Sequence, residues 1–255
     1  MDWLKDFRHT ASKCKTIKNA PQKFIGKYIF GLDEPTNDNM IRGNVSGDCA
    51  YEVLNGMSME DAIVLSVKMW NERGGQSDTN LKFAQKCIPH LVEGIEELQL
   101  FKPTSVEGVV EGTAEQFNLK KPIYGRYDLY FEKPNLVIDY KSTKQIPKSL
   151  DTANEDDIDQ QGLYWKLTGE KHRFGLLYAS STNRAYYEIP KERLKEGFEK
   201  MYYNMQFIEN LSDKCDSKLD WLLSFPLPNY SSFYYSNKEY ANKIKQLYKG
   251  VLNNG

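Results

Sequence analysis

The segment that decides the fold reads Ile123-Tyr-Gly-Arg-Tyr-Asp-Leu-Tyr-Phe131, then Glu132-Lys-Pro-Asn135, then Leu136-Val-Ile-Asp-Tyr-Lys141. Two runs rich in β-branched and aromatic residues flank a Pro-Asn turn, which is the sequence form of a β-hairpin. If Glu132 to Asn135 form a four-residue connection, antiparallel pairing places Asp128 opposite Asp139. Because side chains alternate along a strand, Lys141 then lies on the same sheet face as Asp139.

This arrangement depends on the length of the turn. A two-residue connection at Pro134-Asn135 also keeps the three charged side chains on one face, whereas a three-residue connection separates them. Two directly opposed carboxylates repel each other, and a nearby lysine offsets only part of that repulsion. Mg²⁺ or Mn²⁺ offsets more, because both ions prefer hard oxygen ligands. A metal ion beside an ammonium suits phosphodiester hydrolysis. A solvated face of an edge hairpin is the alternative that these residues leave open.

The same residues resemble a known family. Asp128 followed by Asp139-x-Lys141 is similar to the core of the PD-(D/E)-x-K nuclease superfamily. Gly125-Arg-Tyr-Asp128 and Val137-Ile-Asp-Tyr-Lys-Ser142 most resemble its RecB-type exonuclease branch, which includes phage and CRISPR-associated single-domain exonucleases. The resemblance implies an α/β fold with a restriction-endonuclease-like core, in which helices flank a mixed central sheet. It also implies that Asp128, Asp139 and the carbonyl of Tyr140 bind Mg²⁺ or Mn²⁺, and that Lys141 positions the attacking water.

A second motif follows the hairpin. Asp159-Gln-Gln-Gly-Leu-Tyr-Trp-Lys-Leu167 contains Gln160-x-x-x-Tyr164, similar to the Q-x-x-x-Y helix motif of the RecB-type branch. Residues one helical turn apart share a face, so both side chains can point toward the hairpin and orient the phosphate or the lysine. Taken alone, the pair better fits a capping glutamine and a buried tyrosine. Its position after Asp139-x-Lys141 favours the catalytic interpretation.

The N-terminal half resembles the branch with departures. The segment from Lys18 to Gly31 resembles the opening of RecB-type domains, with Ala20 at the position of a cysteine. The segment from Met40 to Leu54 resembles the first catalytic helix. That helix commonly carries a metal-binding histidine where this chain has Gly47, and Glu52 is the candidate substitute.

Further elements follow from local patterns. Val106 to Leu119 is predicted as one long strand, in which Glu115 alternates with Phe117 and could join the hairpin carboxylates as a metal ligand. A solvated strand glutamate is the alternative. The other predicted elements are a helix from Ser58 to Glu72, a helix from Asp78 to Leu98 with a kink or break near Pro89, a loop from Pro147 to Asp157, strands at Phe174–Ser180 and Arg184–Ile189, an amphipathic helix after Pro190, and an aromatic-rich tail from Asp216 that docks onto the core.

Composition bounds the class of protein. With 255 residues, 40% hydrophobic and 27% charged, the chain is predicted to be one globular nuclease domain. Its parts are a helical region at about 1–100, a catalytic core at about 101–190, and helices and a tail at about 191–255. No apolar run is long enough to span a membrane, and the charged start does not resemble a secretory signal. The expected location is the cytoplasm, that of the host cell if the protein is phage-encoded.

The distribution of lysines and cysteines indicates which ligands the chain could bind. The net charge of −1 does not itself indicate nucleic-acid binding, but lysines flank the hairpin and could follow a phosphate backbone. The flanking lysines are Lys120 and Lys121 before the hairpin and Lys144 and Lys148 after it, and a separate cluster near the start comprises Lys15, Lys18, Lys23 and Lys27. The four cysteines are too scattered for a zinc knuckle. Some RecB-type nucleases hold an iron–sulfur cluster with one early and three late cysteines, and because only Cys215 follows the core here, the resemblance implies no cluster.

These observations favour a metal-dependent DNA exonuclease of recombination, repair or replication, acting on DNA that is single-stranded or has free ends. A structure-specific endonuclease is the first alternative. A catalytically inactive nuclease-like module that binds DNA or a protein is the second.

Overall fold

The computed structural model describes residues 5–254, with side chains described up to position 250. The helices are α1 (Ala11–Asn19), α2 (Pro21–Phe24) with a π-helical turn (Ile25–Ile29), α3 (Asp38–Leu54), α4 (Met59–Glu72), α5 (Asp78–Glu97), α6 (Glu155–Leu167), α7 (Lys191–Lys214), α8 (Lys218–Leu223) and α9 (Lys238–Asn254). The strands are β1 (Ser105–Gly112), β2 (Ile123–Phe131), β3 (Leu136–Ser142), β4 (Arg173–Ala179) and β5 (Arg184–Glu188). Short 3₁₀ helices lie at Glu115–Phe117, Leu150–Thr152 and Phe233–Tyr235. Within this part of the chain, no helix combines the length and the apolar character that a membrane span requires.

The strands form one mixed sheet in the order β1-β2-β3-β4-β5. Strand β3 pairs antiparallel with β2 and parallel with β4, and β4 pairs antiparallel with β5. A parallel pair needs a crossover connection, which α6 supplies between β3 and β4. Apolar side chains of α3 and α5 pack with Ile138 and Leu177 on one face of the sheet, while α6 lies against the other face. The predicted α/β class with a mixed, helix-flanked sheet is confirmed.

Side-chain caps fix the starts of α3 and α4. The side chain of Asn37 accepts a hydrogen bond from the Met40 N–H at the start of α3, and that of Ser58 accepts one from the Asp61 N–H at the start of α4. Each cap satisfies one of the unpaired N–H groups at a helix start. Helix α5 contains Pro89 and continues past it to Glu97, so no break occurs there. The predicted start of α4 is therefore confirmed, and a break at Pro89 is wrong.

Two predicted boundaries are wrong. The strand expected from Val106 to Leu119 ends at Gly112, and Glu115 begins a 3₁₀ turn, because Thr113 Oγ1 accepts a hydrogen bond from the Gln116 N–H and closes a local turn. The loop expected as far as Asp157 ends earlier. Asn154 caps α6, which begins at Glu155, so Asp157 lies on the first turn of a helix.

The chain forms two compact units. One comprises the described residues up to Pro35, Glu111–Gly125 and the chain from Phe198 onward; the other comprises Thr36–Val110 and Arg126–Gly197. In the first unit the aromatic tail packs into the core, with Trp221 stacked on Phe24 at 6.3 Å between ring centroids. A docked tail is confirmed. That residues 1–255 behave as a single domain stays a prediction.

Candidate active site

The hairpin has the predicted connection. Strand β2 ends at Phe131 and β3 begins at Leu136, and these two residues are paired. Leu129 pairs with Ile138, so the same register continued by one residue places Asp128 opposite Asp139. The four-residue turn therefore brings the two carboxylates together on one face of the sheet.

The Asp128 side chain is hydrogen-bonded to the backbone of β3. The backbone N–H of Tyr140 donates to Asp128 Oδ2 at 3.0 Å. Burial raises the pKa of the Asp128 carboxyl well above its ordinary value, and the negative charge of Asp139 raises it further. The hydrogen bond from Tyr140 and the charge of Lys141 act in the opposite direction. The pair of aspartates thus carries an unfavourable charge that a cation would relieve.

Asp139 is fully buried in the centre of the sheet and both of its oxygens are engaged. Gln160 Nε2 donates to Asp139 Oδ1 at 3.2 Å, and the Lys141 ammonium lies 2.6 Å from Asp139 Oδ2. Apart from this ion pair, no group in residues 5–254 hydrogen-bonds to Oδ2. The α6 glutamine therefore fixes one oxygen, while the other faces the lysine.

Lys141 remains an ammonium in this setting. Burial by itself lowers the pKa of Lys141, but the negative charges of Asp139, Asp157 and Asp128 together raise it above its ordinary value. A group held in its charged form donates hydrogen bonds and stabilises negative charge, but it does not accept a proton.

The Gln160–Tyr164 pair lies on α6 beside the hairpin. Tyr164 is buried, and burial followed by the charge of Asp139 raises the pKa of its phenol above the ordinary value. The phenol therefore stays protonated and near Asp139. The structure brings both predicted helix residues to the hairpin carboxylates.

Two site residues escaped the sequence analysis. Asp157 Oδ1 lies 3.8 Å from the Lys141 ammonium, and Asp157 Oδ2 accepts a hydrogen bond from the Tyr178 hydroxyl at 3.4 Å. Asp157 precedes Gln160 by three residues and Tyr164 by seven, so helical periodicity places all three on one face. That spacing was the available signal, and it was missed because Asp157 was assigned to a loop. Tyr178 carried no signal beyond its place on a buried strand.

A tyrosine occupies the space next to Gly47. A Cβ atom built on Gly47 would lie 1.8 Å from Cε2 of Tyr140 and 2.2 Å from its hydroxyl oxygen. Burial first, then the charges of Asp128 and Asp48, raise the pKa of the Tyr140 phenol well above its ordinary value. Glu52 follows Gly47 by five residues on α3, a rotation of about 140°, so it lies on a different face of the helix. The position of the family histidine is thus filled by a side chain from β3.

Glu115 is not a strand residue. It begins a 3₁₀ helix in the first compact unit, where it lines a pocket with Arg8 and Glu111. The strand alternation that linked Glu115 to the hairpin carboxylates is absent, so that argument for a role in metal binding fails.

The oxygen atoms of Asp128, Asp139 and Tyr140 fit a divalent cation of the Mg²⁺ type. Across residues 5–254 no cluster of three or more histidine, cysteine, aspartate or glutamate side chains is arranged to hold a metal ion. Mg²⁺ needs fewer, because it is usually bound by one or two carboxylates together with water and substrate phosphate. Asp128 and Asp139 supply two carboxylates, and Asp139 Oδ2 is buried without a hydrogen-bond donor other than the lysine. The carbonyl of Tyr140, between Asp139 and Lys141, is a further oxygen ligand of the preferred kind.

Comparison with known proteins shows the fold and the family of the chain. Among solved structures, one from Eubacterium rectale aligns over 87% of this chain and 90% of its own, with a TM-score of 0.58 and 15% identity. That protein is provisionally described as an exonuclease. A second solved structure, of SSO0001, aligns over 79% of this chain and 96% of its own at 14% identity, but its TM-score of 0.31 carries no argument about the fold. No curated protein matches the chain significantly in sequence. The sequence profile of the PD-(D/E)XK nuclease superfamily matches residues 8–232, and enzymes of that superfamily generally use divalent metal ions. The chain therefore belongs to the PD-(D/E)XK nuclease superfamily.

Proposed function

We propose that this protein is a Mg²⁺- or Mn²⁺-dependent DNA exonuclease, with Asp128, Asp139 and Lys141 as its catalytic centre. The observation that carries the proposal is the convergence of two opposed carboxylates and a charged lysine on one face of the hairpin. The binding of Gln160 to Asp139 supports a role for α6 in the same site.

Each residue has a distinct role in the proposed reaction. Asp128, Asp139 and the Tyr140 carbonyl would hold the cation, which when bound polarises the scissile phosphate and lowers the pKa of water. Lys141 donates hydrogen bonds to the attacking oxygen and to the negative charge that develops on the phosphate. Gln160 fixes the orientation of Asp139, and Tyr164, as a protonated phenol, is a donor to the phosphate. Water adds to phosphorus as the bond between phosphorus and the leaving sugar oxygen breaks, and the proton that the water gives up passes through solvent to that sugar oxygen.

Several features favour DNA ends over a sequence-specific site. Lys144 and Lys148 are exposed just after β3, where they can contact a phosphate backbone without reading bases. The structural neighbour from Eubacterium rectale is itself described as an exonuclease, provisionally. Roles in recombination, repair or replication, a phage origin and action in the cytoplasm belong to the same proposal.

Hydrolysis of labelled DNA tests the metal and the aspartates together. We expect linear single strands to be degraded in Mg²⁺ or Mn²⁺ and to survive in excess EDTA. Asp139→Asn should bring hydrolysis to background, because the cation loses one of its two negatively charged ligands while the shape of the side chain is kept. Asp151→Asn is the matched control, since its side chain is 86% exposed. Full activity of Asp139→Asn, or activity in EDTA, contradicts the proposal.

Closed circles separate the exonuclease from its alternatives. Linear single-stranded DNA should be digested from an end, while covalently closed single-stranded circles of the same sequence should survive. Rapid cutting of circles favours the endonuclease. DNA binding without hydrolysis in either metal favours the inactive module.

A further inference from the structure

The Lys141 ammonium forms ion pairs with two carboxylates, those of Asp139 and Asp157. Lys141 Nζ lies 2.6 Å from Asp139 Oδ2 and 3.8 Å from Asp157 Oδ1. Asp139 is almost wholly buried, with 1% of its side chain exposed, whereas the Asp157 side chain is 15% exposed. In this structure the Lys141 ammonium therefore forms its closer ion pair with Asp139, the more buried of the two carboxylates.

The lysine occupies an atom that a metal ion would need. Gln160 already donates to Asp139 Oδ1, which leaves Oδ2 as the oxygen that faces the ammonium. A divalent cation and an ammonium on one carboxylate oxygen repel each other strongly where water is excluded. Cation binding at Asp139 therefore requires the lysine to withdraw.

The Asp157 carboxylate is positioned to bind the Lys141 ammonium once the ammonium leaves Asp139. The Tyr178 hydroxyl donates to Asp157 Oδ2, and this orients the carboxylate so that Oδ1 is the oxygen nearer Lys141. A shift of the ammonium by about 1 Å would bring it within the usual distance of a charge-assisted hydrogen bond. The flexible stem of lysine allows such a shift without movement of the backbone.

We propose that Asp157 is an alternative partner for Lys141, to which the ammonium moves when a divalent cation binds Asp128 and Asp139. Asp157 is then a positioning residue: it lowers the cost of metal binding and keeps the lysine beside the phosphate. This inference rests on the proposed metal-dependent function of the same site.

Metal binding without DNA tests the inference independently of catalysis. The Kd for Mn²⁺ is measured by electron paramagnetic resonance of free Mn²⁺ for wild type, Asp157→Asn, Lys141→Met and the double variant. Asp157→Asn should weaken Mn²⁺ binding by about 10-fold or more, the scale of losing a group that supports a metal site from outside its ligands. Lys141→Met should strengthen binding, because the competing ammonium is gone. In the Lys141→Met background, Asp157→Asn should have no further effect.

Other outcomes overturn the inference. If Asp157→Asn weakens binding equally in both backgrounds, Asp157 is itself a metal ligand. If Asp157→Asn leaves the wild-type Kd unchanged, or wild type shows no saturable Mn²⁺ binding, the proposed movement of Lys141 is wrong. Asp156→Asn removes one charge from the adjacent position of α6 and should leave the Kd unchanged, and circular dichroism verifies that each variant is folded. Failure of DNA hydrolysis with these Kd values as expected would refute the nuclease proposal alone.

Discussion

The contact between Gly47 and Tyr140 predicts a measurable coupling between α3 and β3. An alanine Cβ at position 47 would lie 1.8 Å from the tyrosine ring, whereas ordinary contact begins at 3.4 Å, so the ring must withdraw by about 1.6 Å. Overpacking of this kind costs about 1–3 kcal/mol. Alanine in a helix interior gains about 1 kcal/mol over glycine. Gly47→Ala should therefore lower the free energy of unfolding by up to about 2 kcal/mol.

A double-mutant cycle isolates the steric cost. In a Tyr140→Leu background the ring is gone, so Gly47→Ala should instead stabilise the protein by about 1 kcal/mol. The helix preference is common to both backgrounds and cancels, which leaves a coupling energy of about 1–3 kcal/mol. Urea unfolding of the four proteins measures it. Gly43→Ala is the control on the same helix, because its added Cβ meets nothing within 4 Å, and it should stabilise both backgrounds equally. A coupling energy below about 0.5 kcal/mol, the usual error of additivity, would refute the reasoning.

Two further predictions concern the first compact unit. Trp221→Ala should lower the free energy of unfolding by about 3–5 kcal/mol, because Trp221 is fully buried. Phe233→Ala should change it by less than about 0.5 kcal/mol, because Phe233 is 75% exposed. Equal effects of the two variants in chemical denaturation would contradict a docked tail. Burial lowers the pKa of His9 below 6.5, so the unfolded chain binds a proton there that the folded chain does not. Stability from this group is complete above the unfolded pKa and is lost as pH falls from about 6.5 toward the folded value. His9→Gln should reduce the dependence of the free energy of unfolding on pH, measured by urea unfolding across this pH range. An unchanged pH dependence would contradict the prediction.

Local chemistry explains why the hairpin could be predicted. The Pro-Asn turn sets the connection between β2 and β3, and the two-residue period of a strand then sets the faces of Asp139 and Lys141. The Gln160–Tyr164 spacing likewise needs only the helical period. Such features depend on a few neighbouring residues, so the sequence contains them in full.

Other features depend on groups distant in the chain. Tyr140 fills the space at Gly47 from another element, and no periodicity within α3 indicates that the missing side chain is supplied from β3. Glu115 alternates with Phe117 as strand residues do, but a side-chain hydrogen bond at Thr113 starts a turn that this pattern does not reveal. Asp157 was misplaced because a polar, acidic segment is equally typical of a loop and of a helix start, where acidic side chains favour the helix dipole.

The single-turnover rate of Lys141→Ala on end-labelled single-stranded DNA, with enzyme in excess, tests the central claim most directly. The rate in Mg²⁺ should fall by about 100-fold or more, the scale of losing one preorganised charge, while DNA affinity measured by fluorescence anisotropy changes little. Lys68→Ala removes a lysine of α4 whose side chain is 71% exposed and should keep the wild-type rate. If Lys141→Ala retains the wild-type rate at saturation and loses affinity instead, Lys141 is a contact to the DNA backbone and not a catalytic group, which contradicts its assignment to the catalytic centre.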